Sequence, residues 1–385
     1  MSTWDSIPMA YLLVEEGIIK AFGPMADAPS IADEVVDATG KYLLPSFVDS
    51  HTHLVFAGSR EMEFVERIKG TSYEEIINKG GGILNSAKKL ADTSEEILYE
   101  QAMKRLQKVM ALGTGAIEIK SGYGLSYEAE LKILRVIKKI KQNSPIPVKA
   151  TFLGAHAIPV EYRSRRQDYI DLLLNKILPV IAEEELADYI DVFCEAVAFS
   201  VDETREIIRA GKAHGLKAKI HTNQFNSMGG IELCIEEDAI SVDHLEVMND
   251  DEINKLAKSS VIGTMLPSAP FFLSDPYPKG RKMLDQGVAL ALASDYNPGS
   301  SPSGNMNFVV STACIKMKLT AEEAINAASI NGAYAMGISE QYGSITRGKK
   351  ANLILTKKMR SYNQIPYEFG NNPVHNVMLD GQFIE

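Results

Sequence analysis

Apolar and polar positions divide this chain into two textures. From about residue 44 to residue 295, short apolar, β-branched runs alternate with longer stretches whose apolar residues recur every three or four positions. The first pattern is that of a buried strand, the second that of a helix with one apolar stripe. Eight candidate strands follow, at 44–50, 115–120, 148–156, 189–195, 216–222, 239–244, 261–267 and 289–295, with helices between them, for example at 95–112 and 128–141. Strands that alternate with helices form a parallel sheet, and eight closing on themselves form a (β/α)8 barrel, an α/β fold. Such a barrel takes about 250 residues. The remainder lies at the chain ends, where residues 1–42 and 343–385 hold short runs such as Ala351-Asn352-Leu353-Ile354-Leu355 between turn signals. They predict a small β-sandwich domain built from both ends, beside a barrel spanning 43–342.

Polar residues gather where the predicted strands stop. His51, His53, Lys120, His156, Glu195, His221, His244 and Asp295 all fall at C-terminal strand ends, the face on which such barrels carry their active sites. In Val48-Asp49-Ser50-His51-Thr52-His53, two histidines flank one residue. Successive strand side chains face opposite ways, so both imidazoles project to one side and can share an ion. His221 and Asp295 add a third imidazole and a carboxylate at the same rim. Three or four protein ligands plus water make up a hydrolytic metal site. Taken singly, each has a plainer role, a core histidine or a helix-capping Asp, and it is their convergence on one face that favours the metal.

Composition narrows the partners. The 385 residues are 45% hydrophobic and 23% charged, as in an ordinary globular protein, and the formal net charge is -10. With no dense Lys/Arg block, neither nucleic acid nor an anionic membrane is expected as a partner, and an anionic substrate needs a local cation. Cys194, Cys234 and Cys314 are odd in number and far apart, which predicts free thiols in a reducing cytoplasm. The apolar run at 9–14 is too short to span a membrane and lacks the flanks of a signal peptide.

Longer motifs carry a family resemblance. Asp49-Ser50-His51-Thr52-His53-Leu54-Val55-Phe56-Ala57-Gly58-Ser59-Arg60, Lys120-Ser121-Gly122-Tyr123-Gly124-Leu125, Phe152-Leu153-Gly154-Ala155-His156, Asp243-His244-Leu245-Glu246 and Ser294-Asp295-Tyr296-Asn297-Pro298-Gly299-Ser300 together resemble the amidohydrolase superfamily. Within it, the 58–60 and 121–124 segments resemble the branch that hydrolyses 4-imidazolone-5-propanoate to N-formimino-L-glutamate in histidine degradation. The resemblance implies one zinc or iron ion per chain on His51, His53, His221 and Asp295. It also implies contacts from Arg60, Tyr123 and His156 to the substrate, with Asn297, Gly299 and Ser300 lining the pocket, and a homodimer. Arg60 suits a propionate because a guanidinium grips a carboxylate through paired hydrogen bonds.

Where many members have Glu three residues after the third histidine, this chain has Gln224. A glutamine can hold a ring amide but cannot take up a proton at neutral pH. The resemblance therefore places Gln224 among the catalytic and substrate contacts and leaves proton transfer with His244 and Asp295. The fourth strand ends in Glu195 rather than the lysine of two-metal members, so one ion is expected, and Glu195 has two readings, a ligand for a second ion or a group that orients a ligand histidine. Lys120, on the second strand, is expected to be a salt-bridged rim residue. The run Gly80-Gly81-Gly82 is expected to form a mobile loop near the barrel mouth, and His214 and His375 to be structural. Two rival readings are a cytosine- or guanine-type deaminase on the same barrel and a metal-binding barrel without catalysis.

Overall fold

In the computed structural model, which describes residues 6–71, 75 and 81–384, the chain opens with a hairpin. Its strands, β1 (Ala10–Glu15) and β2 (Ile18–Pro24), are antiparallel. β3 (Leu43–Pro45) then pairs antiparallel with β12 (Leu353–Thr356), which continues through β13 (Val374–Leu379) to β14 (Gln382–Phe383) in a four-stranded sheet. Ile19 and Leu353 are buried between hairpin and sheet, with Leu12, Phe22, Leu43 and Met378 packed around them. This is the small β-sandwich expected from the chain ends.

The barrel strands are β4 (Phe47–Thr52), β5 (Thr114–Lys120), β6 (Val148–Ala155), β7 (Tyr189–Cys194), β8 (Lys217–Thr222), β9 (Ser241–His244), β10 (Ile262–Met265) and β11 (Leu290–Leu292). Each pairs with the next in parallel, in sequence order. β4 and β5 are buried along their whole length, as strands covered on both faces must be. Beyond the end of β11, Asp295 N–H donates to His51 O at 3.0 Å and His53 N–H donates to Tyr296 O at 2.9 Å. The ring therefore closes through residues that also carry the chemistry.

The predicted helices are present as Glu95–Ala111 and Tyr127–Asn143, each started by a serine, Ser94 or Ser126, whose hydroxyl accepts a first-turn N–H. The second buries Leu131, Leu134 and Ile137 on its barrel-facing stripe. The predicted strand at 44–50 is in fact two strands. Its apolar run serves two sheets without polar punctuation, and Pro45 has no N–H to extend the ladder of β3. The predicted strand at 289–295 is shorter, because Asp295 takes up the left-handed region at φ 54°. Of the glycine run, Gly80 lies outside the described residues, and Gly82 caps the helix Ile83–Ala91. No helix among the described residues is long and apolar enough to cross a membrane.

Candidate active site

His51 is the last residue but one of β4, His53 follows just beyond the strand, and Asp295 faces both, its Oδ1 3.6 Å from Nε2 of each. His221, near the end of β8, brings its ring to 4.4 Å from that of His51, and His244 ends β9 with its ring 5.4 Å from that of His221. His51, His53 and Asp295 offer donor atoms within 4.8 Å of one another, as do His51, His221 and His244. All five are buried. Nε2 of His51 and of His221 are buried with no hydrogen-bond partner, a costly state for a polar atom. A divalent ion is what such a donor set satisfies, so the residues fit one.

The far side of each imidazole fixes its orientation. His51 Nδ1 lies 2.7 Å from Asp243 Oδ2, and His221 Nδ1 lies 2.9 Å from Asp191 Oδ2, though off the hydrogen-bond axis. His53 Nδ1 is 3.3 Å from Ser121 O. A carboxylate or carbonyl at Nδ1 keeps the proton there and turns the Nε2 lone pair into the site. Burial, reinforced by Lys120 and by neighbouring imidazoles, holds His51, His53 and His221 well below the usual histidine pKa, in the neutral, ligating form. Burial alone would lower His244 as well, but Glu246, with Oε1 3.5 Å from His244 Nδ1, raises it. Asp295 is pushed up to about 6 by burial, against the pull of His244 and of hydrogen bonds from Asn297 and Ser300.

The loop after β11 is tied together from within. Asp49 accepts from Ser294 N–H at 3.0 Å and from its hydroxyl at 2.6 Å, and Ser300 Oγ donates to Asp295 Oδ2 at 3.2 Å. Asn297 Nδ2 donates to Asp295 O at 2.7 Å and to Ser300 Oγ at 2.8 Å, while its Oδ1 accepts from the N–H groups of Gly299 and Ser300. Nη1 of Arg60 lies closer to residue 299 than a Cβ there would allow, so Gly299 gives the guanidinium room to rest against this loop. Across the mouth, His53 stacks on His156 at 5.3 Å with 10° between ring planes, and Tyr123 meets both rings edge-on. Glu130 accepts the N–H groups of Gly122, Gly124 and Leu125, which sets the turn that carries Tyr123.

The candidate ligands and pocket residues gather at this rim with Lys120 beneath it, and Lys120, Glu195 and Arg60 have partners that the sequence does not show. Lys120 is salt-bridged as expected, but inside the barrel rather than at its rim: it is fully buried, 2.7 Å from Glu118 and 2.8 Å from Asp191. Glu195 orients no histidine; its Oε1 accepts the N–H groups of Gln224 and Phe225 at 2.8 and 3.0 Å and so holds the loop after β8, leaving the Gln224 side chain half-buried. Arg60 is paired, since Nε and Nη2 both reach Glu63 Oε2, at 2.8 and 2.6 Å. Asp191 and Glu63 carry no motif of their own, and Asp243 enters only as the first residue of the Asp243-His244-Leu245-Glu246 motif, with no role read for it. A lone acid inside an otherwise apolar strand run is the one signal that marks Asp191.

A model of the amidohydrolase family matches residues 42–384. The chain belongs to the amidohydrolase family. Curated relatives agree: an imidazolonepropionase of Flavobacterium johnsoniae is 59% identical, the match covering 100% of this chain and 94% of the relative. One of Clostridium tetani is 44% identical over 100% and 92%. Among solved structures, 5-methylcytosine deaminase from Klebsiella pneumoniae superposes with a TM-score of 0.77 over 97% of this chain and 93% of that one, at 15% identity, a likeness of fold alone. Amidohydrolase chemistry goes with a divalent metal, in accord with the donor set already described.

Proposed function

We propose that the protein opens the ring of 4-imidazolone-5-propanoate with water, giving N-formimino-L-glutamate. The observation that carries this reading is Arg60, a cation held against Gly299 in the loop of Asp295, in a chain of net charge -10. The full-length identity to curated imidazolonepropionases supports it, as does their small-molecule substrate class. His51, His53, His221 and Asp295 would hold one zinc or iron ion, which when bound lowers the pKa of a water from about 15.7 toward about 7 and polarises the ring carbonyl.

The chain's own groups supply the rest. Asp295 takes the proton of the attacking water and returns it to the departing ring nitrogen as the C–N bond breaks. His244, kept proton-rich by Glu246, donates to the oxygen on which charge develops. Gln224 orients the ring amide by hydrogen bonding and moves no proton. Tyr123 and His156 flank the ring, and Asn297, Gly299 and Ser300 line its edge. Glu63 occupies one edge of the Arg60 guanidinium, leaving the Nη1 side to face the propionate.

One ion per chain is favoured because Glu195, the acid after β7, already spends Oε1 on backbone N–H groups. A homodimer in the cytoplasm, without nucleic-acid partners, completes the reading. A deaminase acting on a neutral base would offer no carboxylate to the Nη1 side of Arg60, which Glu63 leaves unused. Arg60→Ala should lower kcat/KM for imidazolonepropanoate by about 10²-fold or more, and Arg60→Lys should recover only part of it. An unchanged kcat/KM in Arg60→Ala would overturn the propionate assignment.

A further inference from the structure

Beneath the candidate ligands lies a layer of charge that the proposed reaction does not use. Glu118, Lys120, Asp191, Lys219 and Asp243 are all fully buried inside the barrel, on β5, β7, β8 and β9. Their connections run one way. Lys219 pairs with Glu118 Oε2, and Glu118 Oε1 accepts from Thr151 at 2.6 Å and from Lys120 Nζ at 2.7 Å. Lys120 Nζ then reaches Asp191 Oδ2 at 2.8 Å and Asp243 Oδ2 at 3.6 Å. Those two oxygens are the ones that face His221 Nδ1 at 2.9 Å and His51 Nδ1 at 2.7 Å. A single ammonium therefore sits between both carboxylates that turn candidate ligands toward the ion.

The placement has a physical consequence. Asp191 and Asp243 lie near enough to share a donor cluster within 4.8 Å, and two carboxylates that close in a dry interior repel strongly. Lys120 offsets the repulsion and gives both a common anchor. Each has one further tie, Asp191 Oδ1 accepting Val192 N–H at 2.8 Å and Asp243 Oδ1 accepting Ser241 Oγ–H at 2.8 Å, so Oδ2 is the end that Lys120 governs. Lys219 shares the layer and the burial but pairs with Glu118.

We propose that Lys120 is a positioning residue of the metal centre, acting through Asp191 and Asp243 to fix the imidazoles of His221 and His51. This rests on the metal-centre reading above. The test is the zinc dissociation constant, measured by chelator competition on wild type, Lys120→Met, Lys120→Gln and Lys219→Met. Lys120→Gln keeps hydrogen-bond donors without the charge and carries the comparison if Lys120→Met does not fold. Removing the partner behind a metal-ligating histidine typically weakens binding about 10- to 100-fold, and that range is expected for either Lys120 variant. Lys219→Met is expected to stay within about threefold of wild type, because its ammonium does not touch the carboxylates behind the histidines. The proposal is overturned if the Lys120 variants bind zinc as wild type does, or if Lys219→Met loses as much. A wild-type chain that bound no zinc would instead overturn the metal-centre reading on which the proposal stands.

Discussion

At His156 burial decides the protonation state: it lowers the pKa from 6.5 to about 4, against the carbonyl of Gly122, which lies 3.0 Å from Nδ1 and favours the proton. An unfolded chain binds that proton near 6.5, whereas the folded chain holds it off until about 4. The linked stability is therefore whole above about 6.5 and is lost as pH falls through about 4. Urea midpoints should drop across that window, with a shallower fall in His156→Gln, and an identical slope in the variant would contradict the assignment. The residues legible from sequence, His51, His53, His221 and Asp295, share one property: each stands at a strand end, where a polar side chain is conspicuous. Asp191 and Asp243 stand inside Tyr189-Ile190-Asp191-Val192 and Ser241-Val242-Asp243-His244, and only the closed barrel brings them behind His221 and His51.

Among the elements, the loop after β11 does most to shape the mouth, and Gly299 is its sharpest test. Its backbone is not in the left-handed region, so alanine meets no conformational penalty there; what the added methyl meets is the guanidinium of Arg60. Gly299→Ala should leave the unfolding midpoint nearly unchanged while displacing Arg60, and should lower kcat/KM by about 10-fold or more. Wild-type kcat/KM in that variant would show that Arg60 does not act from this position. Strand and helix periodicity was readable for the barrel because each element keeps one period along its length. At 43–52 it was misleading, since consecutive apolar residues belong to two sheets and only the pairing of Leu43, Leu44 and Pro45 with Leu355, Ile354 and Leu353 separates them. The reach of Arg60 to Gly299 was unreadable, because it depends on how two distant loops meet.

On the scale of the whole molecule, the ring closes through the hydrogen bonds between 51–53 and 295–296, so the fold and the candidate metal centre share residues. The eight-strand count and the small domain from both ends could be read in the sequence, because composition and periodicity are averages over long stretches. The charged layer under the site could not, since it is assembled from β5, β7, β8 and β9, one or two residues from each. The central claim, metal-dependent opening of an anionic imidazolone ring, is tested most directly by turnover. Purified protein would be mixed with freshly generated 4-imidazolone-5-propanoate and the loss of ring absorbance followed before metal removal, after chelation, and after return of zinc or iron. The account predicts turnover to N-formimino-L-glutamate that chelation abolishes and about one equivalent of metal per chain restores. Turnover indifferent to chelation, or a metal-loaded enzyme that deaminates cytosine or guanine and leaves the imidazolone intact, would contradict it.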